Sequence, residues 1–170
     1  GKINCDIFLN SATDALIKID SKESVKPLIE LLDKTDCEDT INYAIYILGQ
    51  LKSHESVAFL VEVMMNNNDS TILRSVSEAL CNIGSEEAVK PLIDLMKNTN
   101  DKEALEHISE TLGDLGYKDA VSPLANLMES TNEDEDYNIL ISILGALGNL
   151  GSIEAVKPLT RIESYKEWEF

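Results

Sequence analysis

Apolar residues recur along this chain at spacings of three and four, in stretches that each end at a glycine or a polar break. Leu73, Val76, Leu80 and Ile83 form one stripe, and Leu105, Ile108, Leu112 and Leu115 form the next. Spacing of this kind puts the four side chains on one face of an α-helix. Two short words punctuate the stripes. The first is Val25-Lys26-Pro27-Leu28, which returns as Val57-Ala58-Phe59-Leu60, Val89-Lys90-Pro91-Leu92, Val121-Ser122-Pro123-Leu124 and Val156-Lys157-Pro158-Leu159. Its leading valines stand 32, 32, 32 and 35 residues apart, and all four prolines of the chain occupy the same slot. Self-similarity at a fixed period of this size marks a repeat architecture.

The second word precedes the first: Ala79-Leu80-Cys81-Asn82-Ile83-Gly84, Thr111-Leu112-Gly113-Asp114-Leu115-Gly116 and Ala146-Leu147-Gly148-Asn149-Leu150-Gly151. Ala15-Leu16-Ile17-Lys18-Ile19-Asp20 and Ile47-Leu48-Gly49-Gln50-Leu51-Lys52 are weaker copies. A glycine closing a run of helical period is a C-cap signal, because the residue after a helix often takes the left-handed conformation that glycine adopts cheaply. Ser21, Ser53, Ser85 and Ser152 follow the closing position and suit the N-cap of the next helix. Each repeat therefore reads as a helix A, such as Glu87 to Lys97, a polar loop, and a helix B, such as Lys102 to Leu115. Asp69 and Asp101 are placed as N-caps of their B helices. The repeated Pro falls inside helix A, where loss of a backbone donor predicts a kink at every repeat.

This reading predicts a single all-α domain over 1–170: a B helix at 3–19, repeats at 21–52, 53–84, 85–116 and 117–151, and a closing A helix at 153–164. A leading Gly without Met points to a cleaved tag or a piece of a longer chain.

The pattern Ala-Leu-Gly-x-Leu-Gly-x-x-x-Ala-Val-x-Pro-Leu resembles the short HEAT-like repeats first associated with phycobilisome lyases, over nearly the whole chain. The resemblance implies a right-handed α-solenoid, a superhelix of antiparallel helix pairs with about four and a half repeats, whose B helices line the concave face. It implies a protein-binding scaffold or, as the alternative, an accessory subunit of a bilin lyase or of a chaperone-type complex that handles a cofactor. The family carries an Arg in the B helix that only Arg74 matches; Asn10, Asn42, Glu106 and Ile141 stand at the other positions. Family members that hydroxylate at a di-iron centre repeat His-Glu pairs on their helices. Here only His54-Glu55 has that order, and His107 follows Glu106 in reverse. DNA glycosylases of the family use a basic concave face.

Residues off the apolar stripe of successive B helices fall into columns that are expected to face outward. They run Lys18, Gln50, Asn82, Asp114, Asn149; Asp14, Tyr46, Glu78, Glu110, Gly145; Ser11, Tyr43, Ser75, His107, Ser142; and Asn10, Asn42, Arg74, Glu106, Ile141. Tyr43 and Tyr46 lie three apart on one helix face beside Arg74, residue types enriched at binding hot spots. Glu78 adds charge to the same patch. Glu103, Glu106, Glu110 and Asp114 align with His107 into a ridge suited to Lys or Arg of a partner. The candidate partner-binding set is therefore Tyr43, Tyr46, Arg74, Glu78, Glu106, His107, Glu110 and Asp114.

Composition narrows the partner. Acidic residues outnumber basic ones 31 to 14, for a formal charge of −17. A field of that sign repels phosphates, which excludes nucleic acid and anionic lipid as expected partners and favours a protein with a basic surface. Cys5, Cys37 and Cys81 show no metal or redox spacing, which points to a reduced, cytoplasmic chain, and no apolar run is long enough to span a membrane. The acidic segment Ser130-Thr131-Asn132-Glu133-Asp134-Glu135-Asp136 lacks the spacing and Gly of a calcium loop. No His-Glu-x-x-His, Gly-x-Ser-x-Gly or phosphate-binding Gly-rich loop is present. No catalytic residue, metal or cofactor is expected.

Overall fold

The computed structural model describes residue 15 and residues 22–32, 34, 35, 37–132 and 136–153. Apart from Ala15 and Ile153, the helices expected at 3–19 and 153–164 lie outside these residues, as do Glu133, Asp134 and Glu135 of the acidic loop.

Among the described residues the chain forms α1 (Val25–Leu32), α2 (Glu38–Gln50), α3 (Val57–Asn66), α4 (Ser70–Ile83), α5 (Val89–Asn98), α6 (Lys102–Leu115), α7 (Val121–Ser130) and α8 (Tyr137–Asn149). Odd-numbered helices are the A helices and even-numbered ones the B helices. Each A helix packs on the B helix that follows it. The B helices lie side by side, α2 on α4, α4 on α6 and α6 on α8, while successive A helices touch far less. The result is an all-α solenoid of two layers around one continuous core that runs from Val25 to Leu150. Leu48, Leu80, Leu112 and Leu147, equivalent residues of the four B helices, are all fully buried in it.

The helix ends follow the sequence closely. The Asp69 carboxylate accepts the backbone N–H groups of Thr71 and Ile72 at 2.8 and 3.0 Å, and Asp101 accepts that of Ala104 at 2.9 Å. Ser85 accepts the N–H of Glu87 at 3.2 Å. The bond from Ile72 holds the Asp69 carboxyl below its ordinary range. This cap therefore supports the fold above the unfolded pKa of an Asp and is lost as pH falls through the depressed folded value. At the other ends Gly84, Gly116 and Gly151 have φ of +65°, +78° and +63°.

Lys52 fills the same closing slot with φ +47°. A side chain in this region clashes with its own backbone, whereas glycine does not. Lys52→Gly is therefore expected to stabilise the protein by about 0.5 to 1 kcal/mol despite the greater freedom glycine gives the unfolded chain. Urea unfolding midpoints of the two proteins check the sign.

Helix A departs from the expectation of a proline kink. A one-turn 3-10 segment precedes each α-helical part, at Lys22–Ser24, His54–Ser56, Glu86–Ala88 and Lys118–Ala120. The α-helix begins only at the repeated Val, which puts Pro27, Pro91 and Pro123 at its third position. Backbone N–H groups in a first turn have no partner within the helix, so the proline removes no bond there. Phe59 follows the same 3-10 turn, so proline fits the turn without causing it.

Glycines set the spacing of two B-helix seams. A Cβ at Gly49 would lie 2.8 Å from the Ala79 Cα, and one at Gly113 would lie 2.5 Å from the Ala146 Cα. These backbones meet at a distance no side chain permits. Polar bonds join successive repeats at the turns: Tyr117 donates to the Gly84 carbonyl at 2.9 Å, Lys118 donates to the Leu150 carbonyl, and His54 Nδ1 lies 3.1 Å from Ser85 Oγ.

Candidate functional site

Of the four columns read in the sequence, two face outward on all four described B helices, and the column Asn42, Arg74, Glu106, Ile141 does so only at Arg74 and Ile141, Asn42 and Glu106 being half-buried. Gln50, Asn82, Asp114 and Asn149 are exposed, as are Tyr46, Glu78, Glu110 and Gly145. The column Tyr43, Ser75, His107, Ser142 is not an outward one. Its members are half-buried or buried, and two of them bond across the seams to neighbouring B helices. There Ser75 donates to the Asn42 side chain at 2.8 Å and Ser142 donates to Glu110 at 3.1 Å. Tyr43 is half-buried in this row, while Tyr46, three residues on, is 49% exposed. The two tyrosines therefore do not form an equally exposed pair.

Six of the eight candidate residues come together. Arg74 and Glu78 from α4 and Glu106, His107, Glu110 and Asp114 from α6 line a groove of about 690 Å³ between these two helices. Tyr43 and Tyr46 stand on α2, one helix away. The groove also takes in Cys81, Asn82, Glu103, Thr111, Ser70 and Ser77. Its walls carry five carboxylates against Arg74 and His107.

Local contacts fix several of these groups. His107 Nδ1 lies 3.7 Å from a Glu110 oxygen, and Asn149 donates to Asp114 at 2.9 Å. Partial burial is the main influence on Glu106 and raises its carboxyl above the ordinary range; His107 pulls it down, while Glu110 and Glu103 push it up. A raised value means that Glu106 binds its proton more readily in the folded chain. Its contribution to stability is thus present below the unfolded pKa and lost as pH rises through the folded one. Burial, with Asp114 and Glu78 nearby, pushes the Cys81 thiol up to about 12, so it is a neutral thiol at pH 7. Cys37 is the opposite case: exposed, with its thiol lowered chiefly by the Thr40 side chain.

Cys81 and Thr111 were not among the candidates, yet a signal for them stands in the sequence. Cys81 stands where the other described B helices have Gly49, Gly113 and Gly148, and Thr111 stands where α4 and α8 have Ala79 and Ala146 and α2 has Ile47. In the acidic loop, Asp136 is ion-paired with Lys102 of α6. Among the described residues no three His, Cys, Asp or Glu side chains gather as metal ligands, and no helix is long and apolar enough to cross a membrane.

Paired helices in two layers around one shared core define the class as an α-solenoid. Within that class, a profile for HEAT repeats matches residues 25–107 and 65–134, more than half of the chain, and the chain belongs to this family. No curated protein matches it significantly. HEAT repeats generally serve as protein-interaction scaffolds and are typically non-catalytic.

Proposed function

We propose that the exposed B-helix face binds a protein partner of basic or mixed charge, with Tyr43, Tyr46 and Arg74 at its centre and Glu78, Glu106, His107, Glu110 and Asp114 as its acidic side. The observation that carries this reading is the meeting of chemically distinct binding groups on one face. An exposed Tyr46 on α2, Arg74 on α4 and a groove walled by carboxylates follow one another across adjacent helices. Tyr and Arg are enriched among the few residues that carry most binding energy at protein interfaces, and complementary charge selects the partner and speeds its approach. The close B-helix seams at Gly49 and Gly113 support a concave B layer, since helices packed tightly on one side and loosely on the other curve toward the tight side.

The test compares proteins captured from native lysate by the wild type and by Tyr43→Ala with Tyr46→Ala. The variant is expected to lose specific partners that the wild type retains. Recovery of the same partners by both removes the tyrosines from the interface. Co-purification of a coloured ligand would favour a cofactor-handling role over binding alone.

A further inference from the structure

The α4–α6 seam is built differently from the seams on either side. Where α2 meets α4, Gly49 faces Ala79, and where α6 meets α8, Gly113 faces Ala146. The equivalent residues between α4 and α6 are Cys81 and Thr111, and both line the groove. A thiol and a branched hydroxyl side chain stand where the neighbours have a hydrogen and a methyl, so the two backbones cannot close to the same distance. These helices pack least extensively of the three B-helix pairs, and the space between them is the groove of about 690 Å³.

We infer that this groove is an anchor subsite for a Lys or Arg side chain on a basic segment of the protein partner. The inference rests on the scaffold reading above and adds the place and the chemistry of one contact. Glu78 stands on one wall, and Glu106, Glu110 and Asp114 stand on the other. Ionised carboxylates only accept hydrogen bonds, so the complementary group is a cation with several donors, and a guanidinium or ammonium meets that need. Burial sharpens the preference. Glu106 is already half-buried, and an entering cation offsets the loss of water around its charge, which a neutral or acidic side chain would not do.

The experiment uses a short fluorescein-labelled peptide of alternating Arg and Ala, with a Glu–Ala peptide as control, and measures fluorescence anisotropy at near-physiological salt. Cys81→Gly with Thr111→Ala restores the tight pairing of the neighbouring seams and closes the groove. Glu106→Gln with Glu110→Gln keeps the groove and removes its charge. Glu86→Gln with Glu87→Gln removes the same charge from exposed positions away from this face. Circular dichroism checks that each variant is folded, and the charge variant keeps the test open if the closing variant is not. The first two variants are expected to bind the Arg peptide at least about tenfold more weakly than wild type, and the third to stay within about twofold.

Wild-type affinity in the groove-closing or groove-neutral variant overturns the subsite. Equal weakening by the Glu86 and Glu87 pair also overturns it, because attraction would then come from net charge alone. If the peptide result fails while lysate partners still depend on Tyr43 and Tyr46, the subsite is wrong and the scaffold reading stands.

Discussion

Gly113→Val is expected to destabilise the protein by about 3 kcal/mol, because it drives side-chain atoms into a backbone that has no room to retreat. A Cβ alone at this position would sit 2.5 Å from the Ala146 Cα and 2.7 Å from its Cβ. Backbone on the far side of a seam yields only if the helix yields, so α6 and α8 must separate along their contact. That contact is the most extensive between any two helices described. Gly113→Ala tests the sign more finely. Alanine favours a helix over glycine by about 1 kcal/mol, yet the contact opposes it, and the net effect is expected to be a loss. Gly145, in α8, has nothing within 4 Å of the same added atom. Gly145→Ala should therefore gain up to about 1 kcal/mol from helix propensity alone. Urea unfolding of the three variants separates packing from propensity, and equal behaviour of Gly113→Ala and Gly145→Ala would contradict the close seam.

Leu80→Ala is the second large effect, expected at about 3 to 5 kcal/mol. Leu80 is fully buried, and its helix α4 packs on α2, α3 and α6, so the cavity opens where several elements meet. Leu115, at the end of α6, is half-buried and packs against the edge of the core. Its alanine variant should cost distinctly less, since water and neighbouring side chains fill part of the space. In a solenoid each repeat is held only by its neighbours, so loss at a central helix weakens the stack on both sides. Unfolding of Leu80→Ala should therefore broaden in denaturant, and a sharp transition at an unchanged midpoint would count against a shared core through α4.

Much of the fold was legible because repeats report the same physics several times. The stripe Leu73, Val76, Leu80, Ile83 gave the buried face of α4, and Asp69 and Gly84 marked its two ends. The proline misled, because its effect depends on whether it stands in a first turn or an interior one, and the turn from Glu86 to Ala88 leaves no mark in hydrophobic spacing. The functional face was partly legible. Columns identified Arg74, Glu78 and the carboxylates of α6, but they do not tell which off-stripe column is covered by the neighbouring helices. Tyr43 and His107 are half-buried, and a pattern along one helix cannot register the distance to the next. The groove depends on that distance. It follows from Cys81 and Thr111 standing where the two neighbouring seams pair Gly with Ala, a departure visible only when the repeats are laid against one another.

The most direct measurement of the central claim is site-specific photo-crosslinking in native lysate. A photoreactive phenylalanine analogue would replace Tyr46 on the B-helix face in one protein and Glu62 on α3, an exposed A-helix position, in another. A scaffold that binds through its B face predicts discrete protein adducts from position 46 and none from position 62. Discrete adducts from position 62 with none from position 46 would contradict it.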